Sequence, residues 1–118
     1  MKSQFNMTRG VVRVTGNDQM GLDRVFDVSG IRKGVFLVRF YNTDTEGTLY
    51  LESSNQNTDA TDALWVSIGS TAISSSSSNS LVKIVGDEDE LFTYLRWRFV
   101  VTSGTAGTTF EITGYGLD

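Results

Sequence analysis

Three residue types that carry much of protein chemistry are absent from this 118-residue chain: histidine, cysteine and proline. Without histidine, every catalytic triad or dyad that uses an imidazole base is excluded, as is every zinc site with a histidine ligand. Without cysteine there is neither a disulfide framework nor a thiolate metal site, and the redox compartment stays undetermined. Without proline, the breaks between elements must be made by Gly, Asn, Asp and Ser turns.

Basic charge and long apolar runs are also scarce. Ten Lys and Arg against fourteen Asp and Glu give a net charge of −4, which disfavours nucleic acid as a partner. No segment approaches the ~20 apolar residues of a membrane span, and the N-terminal MKSQFNMTRG has no apolar run that could serve in a signal peptide. We therefore expect a soluble protein without a membrane partner, made and kept without signal-peptide secretion.

Short segments of alternating apolar and polar residues are abundant, and turn residues separate them about every 8 to 14 positions. This pattern predicts an all-β fold, a single antiparallel β-sandwich of the jelly-roll kind over residues 11–118 with about eight short strands. The apolar residues that define the segments are Val12 and Val14; Phe26 and Val28; Phe36, Val38 and Phe40; Leu49 and Leu51; Leu64, Val66 and Ile68; Val82 and Ile84; Leu95, Trp97, Phe99 and Val101; and Phe110 and Ile112.

Two segments lie outside this pattern. Residues 1–10 are predicted to be a flexible N-terminal arm, whose apolar Phe5 and Met7 would be buried by a neighbouring subunit. Residues 70–80 are rich in serine and are predicted to form a solvated connection that adds nothing to the core.

Carboxylates are the remaining source of chemistry. The acidic run at residues 87–90 is predicted to be an exposed, self-repelling loop rather than a catalytic pair. The spacing of Asp59 and Asp62 does not match a calcium-binding loop, although a loose site there stays open. We expect no catalytic residues, no cofactor and no dedicated metal site, and hence a protein that is not an enzyme.

Apolar and polar residues alternate most regularly in the C-terminal segment. If its apolar residues face the core, then Tyr94, Arg96 and Arg98 lie together on the opposite face. One interpretation is a solvated face whose arginines pair with Glu111 across a hairpin of the last two strands, turning at Gly104–Gly107. The other is an interface with another protein, because Arg and Tyr are enriched where proteins bury surface against each other.

A second candidate interface comprises Leu37, Arg39 and Tyr41, because Leu37 places an apolar side chain on a strand face that is otherwise polar. Trp65, alone or with Tyr50 or Tyr41, suggests a different function. An exposed indole beside a tyrosine could stack against a sugar ring.

Three stretches of the chain resemble small jelly-roll virion proteins of tailed bacteriophages: GVFLVRFYNTDTEGTLYLESSN, LWVSIGST and FTYLRWRFVVTSGTAGTTFEITGYGL, within residues 34–118. A Trp-containing strand, an Arg-containing strand near the end and the final strand carry the likeness, through Trp65, Tyr94, Leu95, Arg96, Trp97, Phe99, Phe110 and Ile112.

The resemblance implies a non-enzymatic structural protein of a phage particle, above all a capsid decoration or cement protein. Such a protein is made in the host cytoplasm and resides in the virion. The expected partners are further copies of itself, as a homo-oligomer such as a trimer, and the major capsid protein or other virion proteins. The alternative function is a carbohydrate- or receptor-binding β-sandwich module, either associated with a tail or fibre or free.

Overall fold

The computed structural model describes residues 2–20, 26–27, 33–55, 65–74, 79–86, 94–104 and 106–117. These residues form ten strands, and none of them belongs to a helix that could cross a membrane. The strands are β1 (Lys2–Asn6), β2 (Val12–Val14), β3 (Asp18–Gln19), β4 (Phe26–Asp27), β5 (Lys33–Thr43), β6 (Glu46–Ser54), β7 (Val66–Ile73), β8 (Leu81–Gly86), β9 (Tyr94–Ser103) and β10 (Thr108–Leu117).

The strands form two five-stranded antiparallel sheets, which confirms the predicted β-sandwich. The first sheet has the order β1-β10-β5-β8, with β2 also paired to β10. The second has the order β3-β9-β6-β7, with β4 also paired to β9. β1 and β2 both pair with β10, and β3 and β4 both pair with β9, so each pair can be counted as one interrupted strand, which gives eight strands in all. Of the connections between these eight strands, only that from β6 to β7 stays within one sheet, and every other connection crosses from one sheet to the other. This is the arrangement of a jelly roll.

The core lies between the two sheets and is built by the alternation of their strands. Phe36, Val38 and Phe40 point inward from β5, because every second residue of a strand faces the same side. The rings of Trp97 and Phe110, which belong to opposite sheets, make a T-shaped contact with 5.2 Å between centroids and an angle of 85° between their planes. The predicted inward residues of β9 are confirmed: Leu95, Trp97 and Phe99 are buried in this core, and Val101 packs against it.

The last two strands are not the hairpin that we expected. β9 pairs with β6, whereas β10 pairs with β5 in the other sheet. The connection leaves the sheet at Gly104 and Gly107, which both have positive φ angles (93° and 110°). It is held by Thr45, whose amide donates to the carbonyl oxygen of Gly107 at 3.0 Å and whose hydroxyl accepts from the amide of Gly107 at 2.6 Å.

The structure also corrects the predicted N-terminal arm. Lys2–Asn6 is a strand that pairs with Thr113–Leu117 of β10 and so uses backbone groups at what would otherwise be an open sheet edge. Met7 is only 1% exposed and belongs to the core. The backbone of Phe5 lies opposite Gly114, and its side chain lies outside the described part of the structure.

The serine-rich segment was predicted as a connection that adds nothing to the core, and this is wrong for its first residues. They continue β7 as far as Ile73, which is 4% exposed and lies in the core. Positions 75–78 lie outside the described residues.

Candidate functional site: the outer faces of the two sheets

The outer face of the first sheet carries one of the two predicted patches. Leu37, Arg39 and Tyr41 alternate with core residues of β5 and therefore share this face. The guanidinium carbon of Arg39 lies 4.9 Å from the centre of the Tyr41 ring, and the Tyr41 hydroxyl donates to Oε1 of Glu111 at 3.3 Å. The hairpin interpretation required Glu111 to pair with the arginines of β9. In the structure, Glu111 instead contacts Tyr41 of this patch.

The neighbouring strand β8 extends the same face with residues that the sequence analysis did not single out. Leu81 pairs with Arg39, Lys83 with Leu37, and Val85 with Val35. Leu81 is 63% exposed and Val85 is 37% exposed, which makes them two of the most exposed large apolar side chains in the described residues. Their orientation could have been predicted, because Leu81 and Val85 alternate with Val82 and Ile84, the apolar residues that define this segment in the sequence.

A shallow groove crosses this face where β1, β10 and β5 lie side by side. It is lined by Gln4, Leu37, Thr113, Gly114 and Tyr115. At Gly114 the backbones of β10 and β5 approach closely, since a Cβ there would lie 2.2 Å from the carbonyl oxygen of Val35. The face thus combines an apolar ridge on β8 with a depression that could receive a side chain of a partner.

The outer face of the second sheet holds a buried ion cluster instead of a solvated stripe. Nε of Arg96 donates to Oε1 of Glu52 at 2.9 Å, and Nη2 of Arg96 lies 2.9 Å from the same oxygen. Nε of Arg98 is 3.1 Å from both carboxylate oxygens. Arg96 is 1% exposed and Glu52 is 3% exposed, so these charges have lost their hydration and depend on each other.

Two aromatic rings complete this cluster. The guanidinium carbon of Arg96 lies 4.4 Å from the centre of the Trp65 ring, and that of Arg98 lies 4.8 Å from the centre of the Tyr50 ring. Both distances are in the range of cation–π contacts. Trp65 is only 5% exposed, so its indole offers little surface for a sugar, in contrast to the predicted stacking platform.

Tyr94, Arg96 and Arg98 therefore differ in what they offer a partner. Arg96 is buried, and the side chain of Arg98 keeps 26% exposure. Tyr94 is half-buried at the start of β9, where its carbonyl oxygen accepts from the Ser53 hydroxyl at 3.0 Å. The sequence did not indicate the role of Glu52, because its approach to the arginines depends on the pairing of β6 with β9.

The described residues hold no group of three or more Asp or Glu side chains that could bind a metal ion. Asp59, Asp62 and the acidic run at 87–90 lie outside these residues. A second depression, beside β3 and β9, contains one carboxylate and one guanidinium among its lining residues: Asn17, Asp18, Gln19, Arg98, Phe99 and Val100.

Comparison with known proteins shows that solved structures share the fold of this chain. No protein-family model matches the chain, and no curated protein matches it. The SPBc2 prophage-derived protein YomS is similar in structure, with a TM-score of 0.55 and 14% identity over 98% of this chain and 93% of YomS. The PBSX exported protein XepA is similar with a TM-score of 0.60 and 16% identity over 98% of this chain. The match covers 37% of XepA, so this chain spans little more than a third of that protein.

Proposed function

We propose that this chain is a non-enzymatic structural protein of a phage particle, and specifically a capsid decoration protein. The observation that carries the proposal is the outer face of the first sheet, where Leu81, Val85 and Leu37 lie beside Arg39 and Tyr41. Exposed apolar residues next to Arg and Tyr are typical of surfaces that proteins bury against each other. The likeness of the fold to YomS, a protein named as prophage-derived, supports a phage origin.

A decoration protein stabilises a capsid through many equivalent contacts, and this domain suits that task. The pairing of its two central strands is long, because ten residues of β10 pair with β5, with one register shift between Thr109 and Phe110. A single stable interface buries roughly 800 Å² per partner, and weaker contacts gain strength by repetition on one particle. Binding in this arrangement needs no ligand pocket.

The decoration role can be tested on particles that lack this chain. We expect them to release their genome at a lower temperature than complete particles, and added purified protein to restore the higher temperature. Genome release is followed with a dye that fluoresces on exposed DNA. Equal release temperatures, with added protein staying unbound in a sedimentation assay, would rule out the decoration role.

A further inference from the structure

The outer face of the first sheet is basic as well as partly apolar. Within the described strands of this sheet, the only acidic residue is Glu111 of β10. Three of the basic residues on these strands alternate with residues that are in the core or packed against it, and all three are exposed: Arg13, Arg39 and Lys83. Glu111 is half-buried and lies opposite Arg39. These four side chains carry three positive charges against one negative charge, so the face has an excess of positive charge.

Basic and apolar side chains are interleaved on this face. In the pairing of β8 with β5, Leu81 lies directly opposite Arg39, and Lys83 lies directly opposite Leu37. Directly opposed side chains of neighbouring strands have their Cβ atoms roughly 5 Å apart. Leu81 is 63% exposed, and Lys83 beside it is exposed as well. A partner must therefore offer apolar surface and negative charge within one and the same contact.

We propose that this face binds an acidic surface of another virion protein, in which carboxylates surround an apolar patch. The carboxylates pair with Lys83 and Arg39, and the apolar patch covers Leu81 and Val85. Complementary charge of this kind sets the orientation and speeds association, whereas apolar burial supplies most of the affinity. The inference rests on the proposed function, because it names the chemistry of the partner that a capsid decoration protein meets at this face.

Two other partners fit this face less well. Two copies of the chain packed face to face about a two-fold axis would bring the same excess of positive charge together from both sides. For nucleic acid, the net charge of −4 opposes the approach of a polyanion, and Leu81 and Val85 would gain nothing from a phosphate backbone. An apolar contact within a charged rim is instead the usual anatomy of a protein interface.

Binding of the purified protein to particles that lack this chain tests the proposal. We measure it by co-sedimentation over a range of protein concentrations. We expect wild type to bind at about 0.1 M salt and to bind at least ~10-fold more weakly at about 1 M, where the Debye length falls from ~10 Å to ~3 Å. At the lower salt, Lys83→Glu should bind at least ~10-fold more weakly than wild type, because it sets a carboxylate against the carboxylates of the partner.

Matched variants separate charge from position. Lys83→Arg keeps the positive charge and should bind as wild type does. Leu81→Glu should weaken binding at least ~10-fold, because it replaces an apolar contact with a negative charge that faces other negative charges. Val66→Glu makes the same kind of change at a residue that is 54% exposed on β7 of the second sheet, away from this face, and should leave binding unchanged. Circular dichroism confirms that each variant is folded.

The outcomes distinguish this inference from the proposed function. Wild type that stays unbound at both salt concentrations would overturn the proposed function, and this inference with it. Wild-type binding that Lys83→Glu and Leu81→Glu leave unchanged, that Val66→Glu weakens equally, or that is as strong at the higher salt would overturn the inference alone. A DNA oligonucleotide that binds wild type but not Lys83→Glu would assign the face to nucleic acid and would also overturn it.

Discussion

Replacing Glu52 by glutamine is expected to lower the free energy of unfolding by about 3–5 kcal/mol, the usual cost of leaving one partner of a buried ion pair uncompensated. Glu52 accepts from Arg96 and from Arg98, and both Glu52 and Arg96 are almost completely buried. Glutamine keeps the shape of the side chain but removes its charge. For a domain of this size the loss corresponds to roughly 10–20 °C in Tm, measured by chemical and thermal denaturation.

The matched control is Glu111→Gln. Glu111 is half-buried and accepts from the Tyr41 hydroxyl at 3.3 Å, so we expect its loss to cost less than about 1 kcal/mol. Combining Glu52→Gln with Arg96→Met should cost less than the sum of the two single changes, because the second change removes the charge that the first left unpaired. Similar small losses for Glu52→Gln and Glu111→Gln would show that the cluster contributes little to stability.

Replacing Gly114 by alanine is expected to destabilise the fold by about 2–3 kcal/mol, the upper part of the range for overpacking. The added Cβ would lie 2.2 Å from the carbonyl oxygen of Val35 and 3.2 Å from Cα of Phe36. Both are backbone atoms of a paired strand, so they cannot move aside as a flexible side chain would. Denaturation by urea gives the change in the free energy of unfolding.

Gly16→Ala is the control for Gly114→Ala, since a Cβ at Gly16 would meet no atom within 4 Å. We expect this variant to be as stable as the wild type or slightly more stable, because alanine reduces the freedom of the unfolded chain. If both variants had the same stability as the wild type, the close approach of β10 to β5 would not be as the structure has it.

The strands were predictable because the alternation of apolar and polar residues is visible within each short segment of the sequence. Each of the eight predicted segments contributes residues to a strand, whereas Lys2–Asn6 and Asp18–Gln19 carry too little apolar alternation to be recognised. Pairing was not predictable in the same way. That β9 lies beside β6 and not beside β10 follows from how the chain crosses between sheets, and no short stretch encodes that.

The candidate surface was predictable in part. The sequence placed Leu37, Arg39 and Tyr41 on one outer face, where the structure has them. It placed Arg96 on an outer face too, but could not show that this residue is buried, because burial depends on what packs against the face. The outward orientation of Leu81 and Val85 could have been predicted from the same alternation of apolar and polar residues. The close approach of the strands at Gly114 could not, because no pattern in the neighbouring sequence indicates it.

The measurement that tests the proposed decoration role most directly is the copy number of this polypeptide in purified phage particles from the organism that encodes it. Quantitative mass spectrometry against the major capsid protein provides it. We predict copies in the hundreds, as a protein that decorates the capsid surface requires. A dozen copies or fewer would contradict decoration and indicate the neck or tail, and the absence of the chain from particles would contradict a structural role in the virion altogether.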